Sequence, residues 1–158
     1  CPDVTFTIYG EGDPSPWLRA NLLYGGVLDR AGVRDAFLRA RAAIFPTRYI
    51  EPFCQAHIEA LLCGVPVVGS AFGVFPETAA DVGHRYVRIA RTLPDWVDGL
   101  RHVLQLTPDM RGWLAQRAHQ LYGLAAVAPR YRHILDTIRE TATPTGWYGA
   151  HFPFQETA

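Results

Sequence analysis

The strongest constraint on the fold is an alternation of helix with apolar strand. Two short runs, Ala42-Ala43-Ile44-Phe45-Pro46 and Val65-Pro66-Val67-Val68, have the length of buried strands, and a helical stretch lies between them. That stretch, Cys54 to Cys63, turns Ile58, Leu61 and Leu62 to one side, and Gly64 follows where a helix C-terminus favours positive φ. Another helix leads into the first run, because Val33, Ala36, Phe37 and Ala40 recur at helical spacing before Arg41. Strands buried on both faces and joined by helices make an open parallel sheet. Upstream, Val4-Thr5-Phe6-Thr7-Ile8-Tyr9 reads as a strand closed by the turn residues Gly10 to Pro14. Leu22-Leu23-Tyr24 reads as a second strand, stopped by Gly25-Gly26, and Tyr86-Val87 as the last. The fold class is α/β.

Beyond Val87 the chain becomes helical. Trp96, Val97, Leu100, Val103 and Leu104 form one stripe, Met110, Trp113, Leu114, Ala118 and Leu121 a second, and Tyr131, Ile134, Leu135 and Ile138 a third. All three read as core faces, with helix breaks at Pro108 and Pro129. From Thr141 the Gly, Pro and aromatic content (Trp147, Tyr148, Phe152, Phe154) reads as an irregular tail. The expected organisation is one domain over residues 1–140 and a tail over 141–158, a size that buries a core without disulfides or metal.

Composition narrows the function classes. The 15 basic residues are all Arg and balance 15 acidic ones, so the chain lacks the net positive charge of a nucleic-acid binder. Cys1, Cys54 and Cys63 are odd in number and lack metal-ligand spacing, which fits a reducing, cytoplasmic setting and no metal. No run reaches the roughly 18 apolar residues of a membrane span. No signal peptide opens the chain. Peripheral contact with a membrane stays open.

The chemistry concentrates in Pro46-Thr47-Arg48-Tyr49-Ile50-Glu51-Pro52-Phe53-Cys54-Gln55-Ala56-His57-Ile58-Glu59. A buried strand delivers this loop at its carboxyl end and a helix begins at once, which is where ligands bind in open α/β sheets. The helix N-terminus offers free N–H groups and a positive dipole end to an anion such as a diphosphate. Glu51 precedes the helix and Glu59 lies more than a turn inside, so their heads could stand up to about 12 Å apart at 1.5 Å per residue. A folded nucleotide-sugar could bridge them.

Glu51, seven intervening residues and Glu59, then Ala60, Cys63-Gly64, Pro66-Val67-Val68 and Gly73-Val74-Phe75-Pro76-Glu77, resemble the signature of family-4 (group 1) glycosyltransferases. Ile8-Tyr9-Gly10-Glu11-Gly12 and Leu23-Tyr24-Gly25 extend the resemblance upstream, over most of residues 1–139. It implies the Rossmann-like donor-binding half of a GT-B fold, retaining transfer from a nucleotide-diphospho-sugar, and no metal or other cofactor. Glu51 would hold hydroxyls of the donor sugar and is the candidate catalytic residue, and Glu59 would accept from the ribose diol. The N–H groups of Phe53, Cys54, Gln55 and Ala56 would face the diphosphate and sugar, and Gly25-Gly26-Val27 would border the base. His57 is a candidate contact to donor or acceptor.

Plainer readings exist for each residue. Glu51 could cap its helix, Glu59 could be a solvated charge and His57 a satisfied structural group. Cys63 reads as core, Glu77 as a cap or packing anchor, and Arg48 as a surface residue. Position 54 is often Gly in the family and is Cys here, where Cβ adds bulk near the ligand. Relatives begin this domain with a strand whose loop supplies an Arg and a Lys to the diphosphate. The resemblance therefore implies that the first strand, that cationic pair and an N-terminal acceptor domain lie outside this chain, and that the chain alone does not turn over. Two other functions share the architecture: a non-catalytic nucleotide-sugar-binding module, and a nucleotide-sugar epimerase.

Overall fold

A computed structural model describes residues 1–16 and 18–141. The element order is β1 (Phe6–Tyr9), β2 (Leu22–Gly26), α1 (Arg30–Arg39), β3 (Ala43–Phe45), α2 (Gln55–Leu62), β4 (Val67–Ser70), α3 (Phe75–Val82), β5 (Val87–Ala90), α4 (Leu93–Val103), α5 (Pro108–Tyr122) and α6 (Leu124–Thr141). Every strand pairing is parallel. Among the described residues the strands form two sheets, β1-β2 and β3-β4-β5.

The three-stranded sheet carries the core on both faces. In register, Ala43 pairs with Val67 and Val67 with Val87. Side chains alternate along each strand, so Val67 and Val87 pack with Ile58, Leu61, Ala79, Val82, Leu114 and Ala118. Their neighbours Val68 and Ala90 pack on the opposite side with Leu100 and Val103 of α4. Helices α2, α3 and α5 thus cover one face and α4 the other. Arg111 ties α5 to this arrangement, donating from Nε to the Gly64 carbonyl (3.0 Å) and from Nη2 to the Ala40 carbonyl (2.8 Å).

Several sequence expectations shift. The second strand runs on through Gly25 to Gly26, because Gly26 still pairs with Tyr9 while Gly25 is the extra residue at a register irregularity between Ile8 and Tyr9. Pro129 does not break a helix; it sits inside α6, and the break falls at Gly123. The third apolar stripe is not a core face: Tyr131, Ile134, Leu135 and Ile138 are all more than half exposed, because α6 packs on α5 and meets no second layer among the described residues. The expected aromatic tail, beyond Thr141, lies outside the described residues.

Candidate functional site

Two loops meet at the carboxyl edge of the three-stranded sheet. The first follows β3 and delivers Glu51 to the start of α2, and the second follows β4 and ends at α3. They are knitted by backbone: the Val74 N–H donates to the Glu51 carbonyl (2.9 Å), and the Ser70 hydroxyl donates to the Thr47 carbonyl (2.7 Å). Gly73 makes this closeness feasible. Its φ is +71°, and a Cβ there would stand 2.5 Å from the Glu51 carbonyl oxygen and 2.8 Å from its nitrogen. The Gly-Val-Phe-Pro-Glu segment therefore acts as a backbone clamp on the glutamate loop.

The Glu51 carboxylate is held at both oxygens. Oε1 accepts from the Cys54 N–H (3.1 Å) and Oε2 from the Tyr49 hydroxyl (2.7 Å). An ionised carboxylate has about four lone-pair sites, so two remain for hydroxyls of a ligand. These bonds match the plainer reading of Glu51 as a local acceptor at the helix start. Tyr49 escaped the sequence reading, although a phenol two residues from a glutamate was the available signal. Its donation to Glu51 and the nearby negative charge push the phenol above its ordinary value of 10.

Cys54 adopts φ 51° and ψ 75°, and it is the one non-glycine residue with positive φ among those described. This left-handed geometry, rather than ligand approach alone, explains why glycine suits the position. Cys54→Gly should raise stability by about 1 kcal/mol by relieving the left-handed strain. A melting temperature about 2–4 °C higher would confirm it; an unchanged or lower one would show that the cysteine pays no backbone cost.

His57 does not face the crevice. It is 0% exposed, with Nδ1 2.9 Å from the Cys54 carbonyl and Nε2 2.9 Å from the Thr78 hydroxyl. A carbonyl only accepts, so a neutral ring bonded to the Cys54 carbonyl carries its proton on Nδ1, and the single Thr78 hydroxyl proton is shared between Nε2 and the Val74 carbonyl 3.0 Å away. Burial between Phe45 and Phe75 depresses its pKa below 6.5 and keeps the ring neutral.

Glu59 is half-buried and accepts from Gln55 Nε2 (3.3 Å). The two glutamates therefore flank the same helical turn, one bonded to residue 54 and the other to residue 55. The N–H groups of Phe53, Gln55 and Ala56 have no acceptor among the described residues. Phe53, Gln55 and Ala56 are exposed. Cys54 differs, since its N–H is already given to Glu51. Burial raises the Cys54 thiol, which keeps it protonated near neutral pH.

Gly25, Gly26 and Val27 lie at the carboxyl end of β2, in the other sheet, and no hydrogen bond joins them to the glutamate loop among the described residues. Gly25 has a packing reason of its own: a Cβ there would collide with the Tyr9 ring. Glu77 occupies the first turn of α3 and Arg48 is exposed, as expected. Two concave surfaces, of about 590 Å³ beside Tyr86 and Trp113 and about 750 Å³ along α6, involve neither glutamate. No described helix is long and apolar enough to cross a membrane.

In a parallel α/β domain, strand-end loops meeting a helix N-terminus at one sheet edge form an arrangement where ligands commonly bind. Residues 17–120, more than half of the chain, match the family "Glycosyl transferases group 1", and the chain belongs to that family. Its fold is that of solved GT-B glycosyltransferases. One is AviGT4, a glycosyltransferase involved in avilamycin A biosynthesis (TM-score 0.62, 22% identity, 78% of this chain and 37% of that one). Another is the sucrose-phosphate synthase tll1590 from Thermosynechococcus elongatus (TM-score 0.64, 18% identity, 86% of this chain and 39% of that one). The chain thus spans well under half the length of either. No curated protein matches it.

Proposed function

We propose that this domain binds the nucleotide-diphospho-sugar donor of a retaining glycosyltransferase. The observation that carries the reading is the pair of glutamates around one helical turn where the N–H groups of Phe53, Gln55 and Ala56 have no acceptor among the described residues. In this reading the N–H groups of Phe53, Gln55 and Ala56 receive the diphosphate, and the helix dipole stabilises the charge that grows on it as the glycosidic bond breaks. Glu59 takes the ribose diol, since a carboxylate engages two vicinal hydroxyls at once. Glu51, steadied by Tyr49 and the Cys54 N–H, uses its remaining lone pairs on the sugar. The Gly25-Gly26-Val27 turn borders the base, and the acceptor is held by a further domain outside residues 1–158.

Calorimetric titration of nucleoside diphosphates and nucleotide-sugars tests the division of roles. Glu59→Ala should weaken the sugar-free nucleotide about 10- to 100-fold, the range expected for a lost charged hydrogen-bond acceptor. Glu51→Gln keeps an acceptor for Cys54 and should leave that affinity within about threefold, while discrimination among sugars collapses. Equal losses in both variants with the sugar-free nucleotide would overturn the assignment.

A further inference from the structure

A wholly buried histidine needs a reason, and His57 has one in the peptide it holds. The Cys54 carbonyl accepts from the N–H groups of His57 (3.0 Å) and Ile58 (3.5 Å) and pairs with His57 Nδ1 (2.9 Å). A trans peptide is planar, with its C=O and N–H pointing in opposite directions. Drawing the Cys54 carbonyl into the helix therefore aims the Gln55 N–H outward, into the crevice. That peptide is under tension, because Cys54 is a non-glycine residue in the left-handed region, where the alternative backbone is favoured by about 1–2 kcal/mol. Of the two helix N–H groups on this carbonyl, that of His57 bonds at 3.0 Å and that of Ile58 only at 3.5 Å.

His57 is braced in turn. Thr78 of α3 occupies its Nε2, and the rings of Phe45 (6.2 Å between centroids) and Phe75 (5.1 Å) enclose it. Among the described residues, the charged group acting on the ring is Glu51, across the loop; the Phe53 backbone acts on it beside that of Cys54, and the Cys54 thiol lies toward the His57 N–H.

We propose that His57 is a positioning residue: through Nδ1 it pins the strained Cys54–Gln55 peptide so that the Gln55 N–H is presented to the diphosphate of the ligand. The proposal rests on the donor-binding reading above. It assigns the histidine to anion recognition without contact with the anion.

The test uses isotope-labelled chain titrated with uridine, adenosine and guanosine, their 5′-diphosphates, and inorganic pyrophosphate. His57→Leu fills the space but cannot donate; it should weaken diphosphate and pyrophosphate binding about five- to tenfold while nucleoside affinity holds within twofold. His57→Asn, whose amide can donate to the same carbonyl, should recover most of the loss. Adding Cys54→Gly to His57→Leu should also recover it, since glycine removes the strain that the histidine resists, and the two changes should be non-additive. A ligand-free measurement separates this proposal from the reading beneath it. The Gln55 amide resonance should move in His57→Leu and return in the double variant, whether or not any nucleotide binds. An unmoved Gln55 amide in folded His57→Leu overturns the role of His57, as does equal loss of nucleoside and diphosphate. A moved amide without diphosphate binding in the wild-type chain sinks the donor-site reading and, with it, the diphosphate half of the proposal.

Discussion

Gly73→Ala is expected to destabilise the domain by about 2–5 kcal/mol and, on the donor-binding reading proposed above, to remove the sugar-dependent part of ligand affinity. Two costs add. A non-glycine residue at φ +71° pays about 1–2 kcal/mol, and forcing a methyl group into a filled space typically costs about 1–3 kcal/mol more. The obstacle is the Glu51 backbone, 2.5–2.8 Å from the new carbon, so no flexible side-chain end can swing aside. Relief must come from moving the loop. That breaks the bond from the Val74 N–H to the Glu51 carbonyl and shifts the carboxylate that Tyr49 and Cys54 hold. Gly112→Ala is the matched control: it lies within α5, its new Cβ meets nothing within 4 Å, and alanine there should stabilise by about 0.5–1 kcal/mol. Denaturant melts of the two variants give opposite signs if the clamp is real. A Gly73→Ala protein as stable as wild type would mean that the two loops are not locked.

Phe75→Ala should be still more damaging to the fold, at about 3–5 kcal/mol, the range for emptying a buried aromatic site. Phe75 is 0% exposed and starts α3. Its ring lies against Gly69 of β4, where any Cβ would stand 2.5 Å from it, and it stacks on Phe45 at 6.1 Å. The same ring walls in His57 at 5.1 Å. Removing it opens space around an imidazole that is neutral because it is dry, so water entry should return the His57 pKa toward its ordinary value of 6.5. In the intact protein the folded pKa is depressed. The neutral ring's contribution to stability is therefore full above pH 6.5 and is lost as pH falls from there toward the folded pKa. Phe75→Ala should lower the melting temperature by on the order of 10 °C at neutral pH and flatten this acid dependence. A loss below about 1 kcal/mol, or an unchanged acid limb, would show that Phe75 neither anchors α3 nor keeps His57 dry.

Periodicity and turn chemistry made much of this architecture legible. The strands at Phe45 and Val67, the helix between them and the stop at Gly64 follow from local patterns of apolar residues and breakers. So does the placing of Glu51 before a helix and Glu59 within it, because a strand-loop-helix succession leaves little freedom over a dozen residues. The family match over residues 17–120 agrees with the constellation read from the same segment.

What local patterns could not carry was the company each residue keeps. Apolar spacing marked the face of α6 but not its exposure, since burial depends on whether another layer arrives to cover it. Proline at 129 read as a break, yet the helix continues through it. His57 looked like a candidate contact because it sits between two glutamates in sequence; at 3.6 residues per turn it points the other way, toward Thr78, which lies 21 positions on. The strain at Cys54 and the clamp from Gly73 belong to the same category. Sequence alone determined the strands at Phe45 and Val67, the helix between them and which loop carries the acidic pair, because those depend on neighbours a few residues away. Only the tertiary structure decided that the Glu51 loop is clamped through Gly73 and Val74 and that His57 is buried against Thr78. Those outcomes depend on contacts between the β3 and β4 loops and between α2 and α3, whose partners lie roughly twenty positions apart in the chain.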